Sequence, residues 1–281
     1  MKHKRESGSR EVGLKIGWIC GEYFLKLKHL HYGYWTEGLQ VDISNLGRAQ
    51  EEYVKFLLSH IPKGVKAVLD VGCGAGRVAQ KLLSEGYAVD CVSPSVFLTE
   101  QTRKSVGDKS EIFECRYEEL ETEKRYDLII FVESFQYIDL PTALANTSRF
   151  LNAGGHMLVC DIFKKSGQEK GRQSGGHDLD KLSKLVETSA FSLVEDIDIT
   201  EQTAPTIDLL NDALEKVGKP VAESITDFLA DRYPTVFKLL SWKYQDELEK
   251  INKKYSGGSR TGEQFKQFKS YRLLLYKKTR A

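Results

Sequence analysis

The sequence predicts an α/β fold, a doubly wound parallel sheet with helices on both faces. Three observations carry this. From Ala67 onward, apolar runs too short for helices alternate with amphipathic segments of helical length. A glycine-rich turn follows the first run, where a strand meets a helix. The chain has 281 residues, 41% hydrophobic and 29% charged, which suits one soluble unit with a sizeable core.

The N-terminal part is read as a helical cover over residues 1–60. A helical pattern runs from Gly13 to Leu58, breaks at HLHYGYW (29–35) and restarts near Asn45. There Leu46, Ala49, Tyr53, Phe56 and Leu57 recur at three- and four-residue steps. The strand candidates of the main domain, 61–281, are AVLDV (67–71), AVDCV (88–92), EIFEC (111–115), LIIFV (128–132), HMLVCDIF (156–163) and FSLVEDIDI (191–199). Helix-like stretches such as RVAQKLLSEG and LDKLSKLVETSA separate most of them, as βαβ units require. Helical periodicity returns over 207–255, YSGGSRTG (255–262) interrupts it, and SYRLLLYKK (270–278) supplies a last strand. The insert, about 205–262, is read as a lid over a pocket, with extra core or a homodimer surface as the alternatives.

Lys and Arg number 41 against 40 Asp and Glu, so no net field recruits nucleic acid or an anionic membrane. Cys20, Cys73, Cys91, Cys115 and Cys160 form no CxxC and read as buried thiols of a reducing compartment. The N-terminus lacks the apolar core of a signal peptide, and Leu128 to Val132 is the longest uninterrupted apolar run, far short of a membrane span. A cytoplasmic protein with a small-molecule or lipid-like substrate and no metal is expected.

In VLDVGCGAGR (68–77), Gly72, Gly74 and Gly76 remove side chains where the backbone turns and approaches a ligand, and the next helix offers free N–H groups. A nucleotide-like cofactor is the natural occupant. Asp70 precedes the glycines. It would repel the pyrophosphate of a dinucleotide but suits a cation, unless it serves only to hold the turn.

VLDVGCGAGRVAQKL, followed by YAVDCVSPSVFLTEQ, YDLIIFVESFQYID and FLNAGGHMLVCDIF, resembles the class I S-adenosylmethionine (SAM)-dependent methyltransferases in order and spacing, over about residues 45–200. The resemblance implies a Rossmann-like seven-stranded sheet with the last strand antiparallel. It places the glycine loop against the methionine part of SAM and adenine beside the segment after the third strand, where CRYEEL (115–120) offers backbone and the Tyr117 ring. The acidic residue that usually holds the ribose hydroxyls is replaced by Ser93, a weaker acceptor, while strand parity turns Asp90 to the other face.

The chain is also similar to the cyclopropane-fatty-acid synthases and mycolic-acid methyltransferases. The similarity lies in the Ser-containing segment at Ser93, Tyr34-Trp35 before GRAQ (47–50), a turn-like Ala204-Pro205-Thr206 and the YSGG break. That family holds bicarbonate with a Glu-His pair, and those places carry Gln136 and Tyr137 here. Simple methyl transfer is therefore expected rather than ring closure.

Methyl transfer needs alignment, exclusion of water and, for a hydroxyl or carbon acceptor, a base. Glu133, at the carboxyl end of LIIFV, is the first candidate to accept a proton or hold the donor's amino group, or else it is a loop anchor. His177 in GGHDLD is a second candidate base, and Gln136 and Tyr137 would orient an acceptor. Tyr32, Tyr34 and Trp35 would cover the cofactor by cation–π contact or form an apolar plug. The rival readings are a lipid-modifying enzyme, a non-catalytic SAM-binding protein and, disfavoured by Asp70, an NAD-dependent oxidoreductase.

Overall fold

The computed structural model describes residues 9–165, 175–245 and 261–279. Its strands are β1 (Ala67–Val71), β2 (Ala88–Val92), β3 (Ile112–Phe113), β4 (Tyr126–Val132), β5 (Leu151–Lys164), β6 (His177–Asp178), β7 (Phe191–Asp198) and β8 (Lys269–Lys278). They form one sheet in the order β3-β2-β1-β4-β5-β8-β7, with the two-residue β6 beside β5. β1 pairs parallel with both β2 and β4, and β8 runs antiparallel between β5 and β7. The seven expected strands stand where the apolar runs placed them, and β6 is added.

Side chains of successive strand residues point to opposite faces, so apolar runs buried on both sides make two cores. Leu69, Val71, Ile129, Phe131, Met157 and Val159 face one side, under α5 (Leu140–Phe150) and α6 (Leu179–Glu187). Val68, Leu128, Ile130, Leu158, Leu273 and Leu275 face the other. There they meet α3 (Arg77–Ser84) and Tyr53, Val54 and Leu57 of α2 (Leu46–Ser59). The N-terminal cover is thus divided. α1 (Ser9–Leu25) lies outside, with Trp18 as its buried anchor, whereas α2 is core, its Tyr53 hydroxyl 3.0 Å from that of Tyr271 on β8.

The insert begins with α7 (Thr200–Ala213), which buries Thr200, Thr203, Ala204 and Thr206. Ala204-Pro205-Thr206 is therefore not a turn, because Pro205 sits inside this helix and gives up one N–H bond there. A π-helical turn (Leu214–Gly218) leads to α8 (Lys219–Arg232) and α9 (Pro234–Lys243). α8 buries none of its residues and shows Val221, Ile225 and Phe228 to solvent. α10 (Gly262–Phe268) returns to the body, where Gly262 N donates to Asp208 Oδ1 at 2.8 Å. The YSGG break lies outside the described residues. Cys73, Cys91 and Cys160 are buried as expected, but Cys20 on α1 is exposed and Cys115 is half-buried.

Candidate functional site

A cleft of about 680 Å³ opens at the carboxyl ends of β1, β2 and β4, where open α/β sheets take ligands. The three glycines are required for different reasons. A Cβ on Gly72 would lie 2.3 Å from Ser134 Cβ, and one on Gly76 2.8 Å from Thr102 Cγ2, so these two allow chain segments to approach closely. A Cβ on Gly74 would meet only Leu30 Cδ1, at 3.9 Å, and Gly74 lines the cleft. It is Gly74 that leaves room for a ligand. Gly76 caps α3 and does not line the cleft.

Asp70, at the end of β1, lines the cleft while only 1% exposed, and its Oδ2 has no hydrogen-bond partner. Burial without a partner pushes its carboxyl up to about 7. An orphaned buried carboxylate beside an open backbone cradle fits the cationic methionine end of SAM. Ser93 also lines the cleft, and its Oγ accepts from Ser95 N at 3.3 Å. Asp90 takes no part, since its carboxylate accepts from Glu111 N, Lys124 Nζ and Tyr126 OH.

Glu133 follows β4 with a φ of 52°, a left-handed backbone that side chains other than glycine seldom adopt. That turn directs its carboxyl into the cleft wall, where Oε1 accepts from Tyr32 N at 2.6 Å and Tyr271 OH at 2.8 Å. Burial raises its pKa to about 7, against the lowering by these two donors. Behind it, Asp161 is also raised by burial to about 7 and accepts from Gln136 N, Gln136 Nε2 and Ile162 N. Gln136 Oε1 in turn accepts from Gly176 N at 3.1 Å. Both ends of the Gln136 amide are therefore engaged inside the protein rather than turned to an acceptor.

Two expectations are corrected. His177 does not reach the cleft: its Nε2 lies 3.0 and 2.9 Å from the carbonyls of Phe135 and Ile138, which fix it as an anchor of that turn. Tyr34 stacks on Phe56 with ring centroids 4.8 Å apart and does not line the cleft, while Trp35 Nε1 donates to Thr206 Oγ1. Tyr117 lines the cleft, with its ring packed edge-on against Phe131 and its hydroxyl 3.0 Å from Thr147 Oγ1. Tyr137 lines the mouth and is largely exposed, and among the described residues no cleft-lining residue comes from α8 or α9.

The residues that reasoning from sequence missed are His29 and His31. Both line the cleft and both are buried. Their segment is strapped across the site by Gln50 Nε2, which donates to the carbonyls of His29 and His31. Gly33 N donates to Thr206 Oγ1, and Trp35 N to Gln202 O. Burial drives the imidazoles of His29 and His31 down to about 4 and about 3, so both are neutral. The available signal was their two-residue spacing, which in an extended segment puts both on one face.

A family model described as a methyltransferase domain matches residues 44–196, more than half of the chain. The ubiquinone biosynthesis O-methyltransferase of Rickettsia felis is 31% identical over 94 residues, 32% of this chain and 36% of the relative. The chain thus spans about a third of the length of that relative. An O-methyltransferase of Pyrenophora dematioidea is 22% identical over 215 residues, 70% of this chain and 80% of the relative. Among solved structures, geranyl diphosphate C-methyltransferase from Streptomyces coelicolor A3(2), in complex with S-adenosyl-L-homocysteine, superposes with a TM-score of 0.65. It is 17% identical and the match covers 98% of this chain and 99% of that one. A cyclopropane synthase from Mycobacterium tuberculosis gives 0.60 at 15% identity, covering 89% and 90%. The two structures share this chain's fold. The match over β1 to β7, carried on this sheet and glycine loop, makes the chain a member of the methyltransferase domain family.

Proposed function

We propose that the chain transfers a methyl group from SAM to a small or lipophilic acceptor. The observation that carries this reading is Asp70, a buried carboxylate that lines the cleft beside the open Gly74 backbone and whose Oδ2 has no hydrogen-bond partner. SAM supplies an activated methyl group, so the protein's work is to bind, orient and exclude water. Asp70 holds the cationic end, Gly74 admits it, and Ser93 offers a hydroxyl to the ribose. Glu133, with a pKa near neutral, is the group suited to take a proton from an acceptor. The relatives named as O-methyltransferases support an oxygen acceptor. Engagement of the Gln136 amide by Asp161 and Gly176 argues against the bicarbonate site of ring-forming relatives.

Calorimetry with SAM, S-adenosylhomocysteine and NAD tests the reading. Binding of the first two without the third is expected. Selective binding of NAD, or of none, overturns it.

A further inference from the structure

Tyr271 is fully buried on β8, on the face that also carries Leu273 and Leu275, where a phenylalanine would fill the same space. Its hydroxyl is therefore the feature to be explained, since a buried phenol needs a hydrogen-bond partner. It has two: the O–H donates to Glu133 Oε1 at 2.8 Å, and its oxygen lies 3.0 Å from Tyr53 OH on α2. The Tyr32 N–H donates to that same Oε1 at 2.6 Å. Together the two donors fill both lone pairs of Oε1. Glu133 Oε2, by contrast, has no hydrogen-bond partner among the described residues, and it is not sealed in as Asp70 Oδ2 is. Since Glu133 lines the cleft, Oε2 is its open oxygen.

The hydrogen-bond chain has one polarity. Tyr271, its proton committed to Glu133, accepts from Tyr53. Burial and the adjoining Glu133 push the Tyr271 phenol above its ordinary value, so it remains a donor. The chain is also held rigidly. Tyr271 N donates to Thr200 Oγ1 and the Tyr271 carbonyl accepts from Ile199 N, both at 2.8 Å. The Tyr53 ring meets Tyr271 edge-on with centroids 6.1 Å apart, and His31 stacks on its other side at 4.4 Å. The titratable groups packed around the carboxyl are His31 on the strap, Tyr53 on α2, Cys160 and Asp161 on β5 and Tyr271 on β8. Burial keeps His31 neutral and holds the thiol and both phenols protonated, while Asp161, raised like Glu133 to about 7, titrates beside it.

We propose that Tyr271, backed by Tyr53, is the positioning residue of Glu133: by occupying Oε1 together with the Tyr32 N–H, it reserves Oε2 as the oxygen that takes the acceptor's proton. That proton passes from the acceptor's hydroxyl to Oε2 as the acceptor oxygen bonds to the methyl carbon. The carbon–sulfur bond breaks with its electron pair on sulfur, which becomes a neutral thioether, and Tyr271 keeps its own proton throughout. The role rests on the methyl-transfer reading for the source of the proton, and not for the choice of oxygen.

The test is an infrared pH titration of the full chain labelled with ¹³C at the glutamate side-chain carboxyl, which sets Glu133 apart from Asp161. Glu133→Gln serves as the blank, and no SAM is present. A proton on Oε2 leaves Oε1 as the carbonyl, and two accepted hydrogen bonds weaken that C=O bond, so a low stretching frequency is expected. Tyr271→Phe keeps the ring and should raise the frequency. It should also move the midpoint up by about one pH unit, because the ionised carboxylate loses a charge-assisted hydrogen bond. Tyr53→Phe should shift both in the same direction by less, and it carries the test if Tyr271→Phe does not fold. A wild-type stretch at the frequency of an unbonded carbonyl puts the proton on Oε1 and overturns the proposal. So does a Tyr271→Phe protein that melts lower with stretch and midpoint unchanged, which would make the hydroxyl only a tie between β8 and β4. SAM calorimetry on the same samples separates the two readings. The infrared result without SAM binding keeps the choice of oxygen and removes methyl transfer, and SAM binding without the infrared result does the reverse.

Discussion

The backbone N–H of Tyr32 donates to Glu133 Oε1 at 2.6 Å, joining residues 101 positions apart. One carboxyl thereby closes the N-terminal strap onto the end of β4, and Tyr271 OH reaches the same oxygen from β8. Three separate parts of the chain meet at a side chain held out by a left-handed backbone. Such strain persists where the surroundings over-determine it, often at functional sites.

Glu133 therefore has a structural and a chemical duty that substitutions can separate. Glu133→Gln keeps an oxygen for both donors and removes the basic carboxylate. Turnover should fall about 100-fold or more with SAM affinity changed only a few-fold. Glu133→Ala leaves two buried donors unmet and should cost about 2 kcal/mol in denaturant unfolding, with faster proteolysis within the strap. A large loss of SAM affinity in Glu133→Gln would instead mean that the carboxyl holds the donor.

Asp70 sets function against stability. Its folded pKa of about 7 lies above the ordinary 3.8, so the fold retains a proton that the unfolded chain has already released between these values. Stability of the ligand-free protein should fall as pH rises through that window, and Glu133 and Asp161, both raised to about 7, act in the same direction. SAM prefers ionised Asp70, so its affinity should fall about tenfold per pH unit below 7 and level off above it. Asp70→Asn should stabilise the free protein at pH 8 by about 2 kcal/mol and abolish the pH dependence of the residual SAM binding. Thermal unfolding and calorimetry on one preparation read both effects.

The glycine loop gives a paired comparison. Gly72 and Gly74 both have positive φ, 75° and 56°, so alanine strains each backbone by about 1–2 kcal/mol. Only at Gly72 does the added Cβ also collide with Ser134, so Gly72→Ala should lower stability further, by about 2 kcal/mol or more. Gly74→Val should leave a folded protein that no longer binds SAM, because its side chain projects into the cleft. Circular dichroism melting and calorimetry separate the pair, and a Gly74→Val variant with unchanged affinity would remove the loop from the binding site.

The sheet was legible because its central strands are buried on both faces, so that short apolar runs such as AVLDV alternate with amphipathic helices. The part of the cleft proposed to take the donor was legible for a related reason: Asp70 and the glycines lie together in sequence, on one strand-to-helix turn. The strap was not. Its fixing contacts run from Tyr32 to Glu133 and from Gly33 to Thr206, 101 and 173 positions apart, and no local pattern encodes such a closure. The error over His177 has the same origin. A histidine whose imidazole is engaged by two carbonyls some 40 residues upstream reads, in sequence, like a loop base.

The insert has two parts that a deletion can separate. Up to Thr206, α7 is core and holds the strap through Thr206 Oγ1, so cutting there should unfold the site. Beyond it, α8 buries nothing and, among the described residues, neither α8 nor α9 lines the cleft. The Asp208–Gly262 bond brings the two ends of the insert together, so a short linker can join 211 to 261 without distorting α7 or α10. The shortened protein should keep its melting temperature within a few degrees and its SAM affinity within a few-fold. If the insert closes as a lid on a bound acceptor, turnover alone should fall, by at least about tenfold, because the exposed Tyr233, Trp242 and Tyr244 would no longer shield the acceptor from water. Unchanged turnover with a smaller sedimentation coefficient than chain length accounts for would assign these apolar surfaces to contact between copies of the chain. Joint loss of melting temperature and SAM binding would show that α8 and α9 support the fold after all.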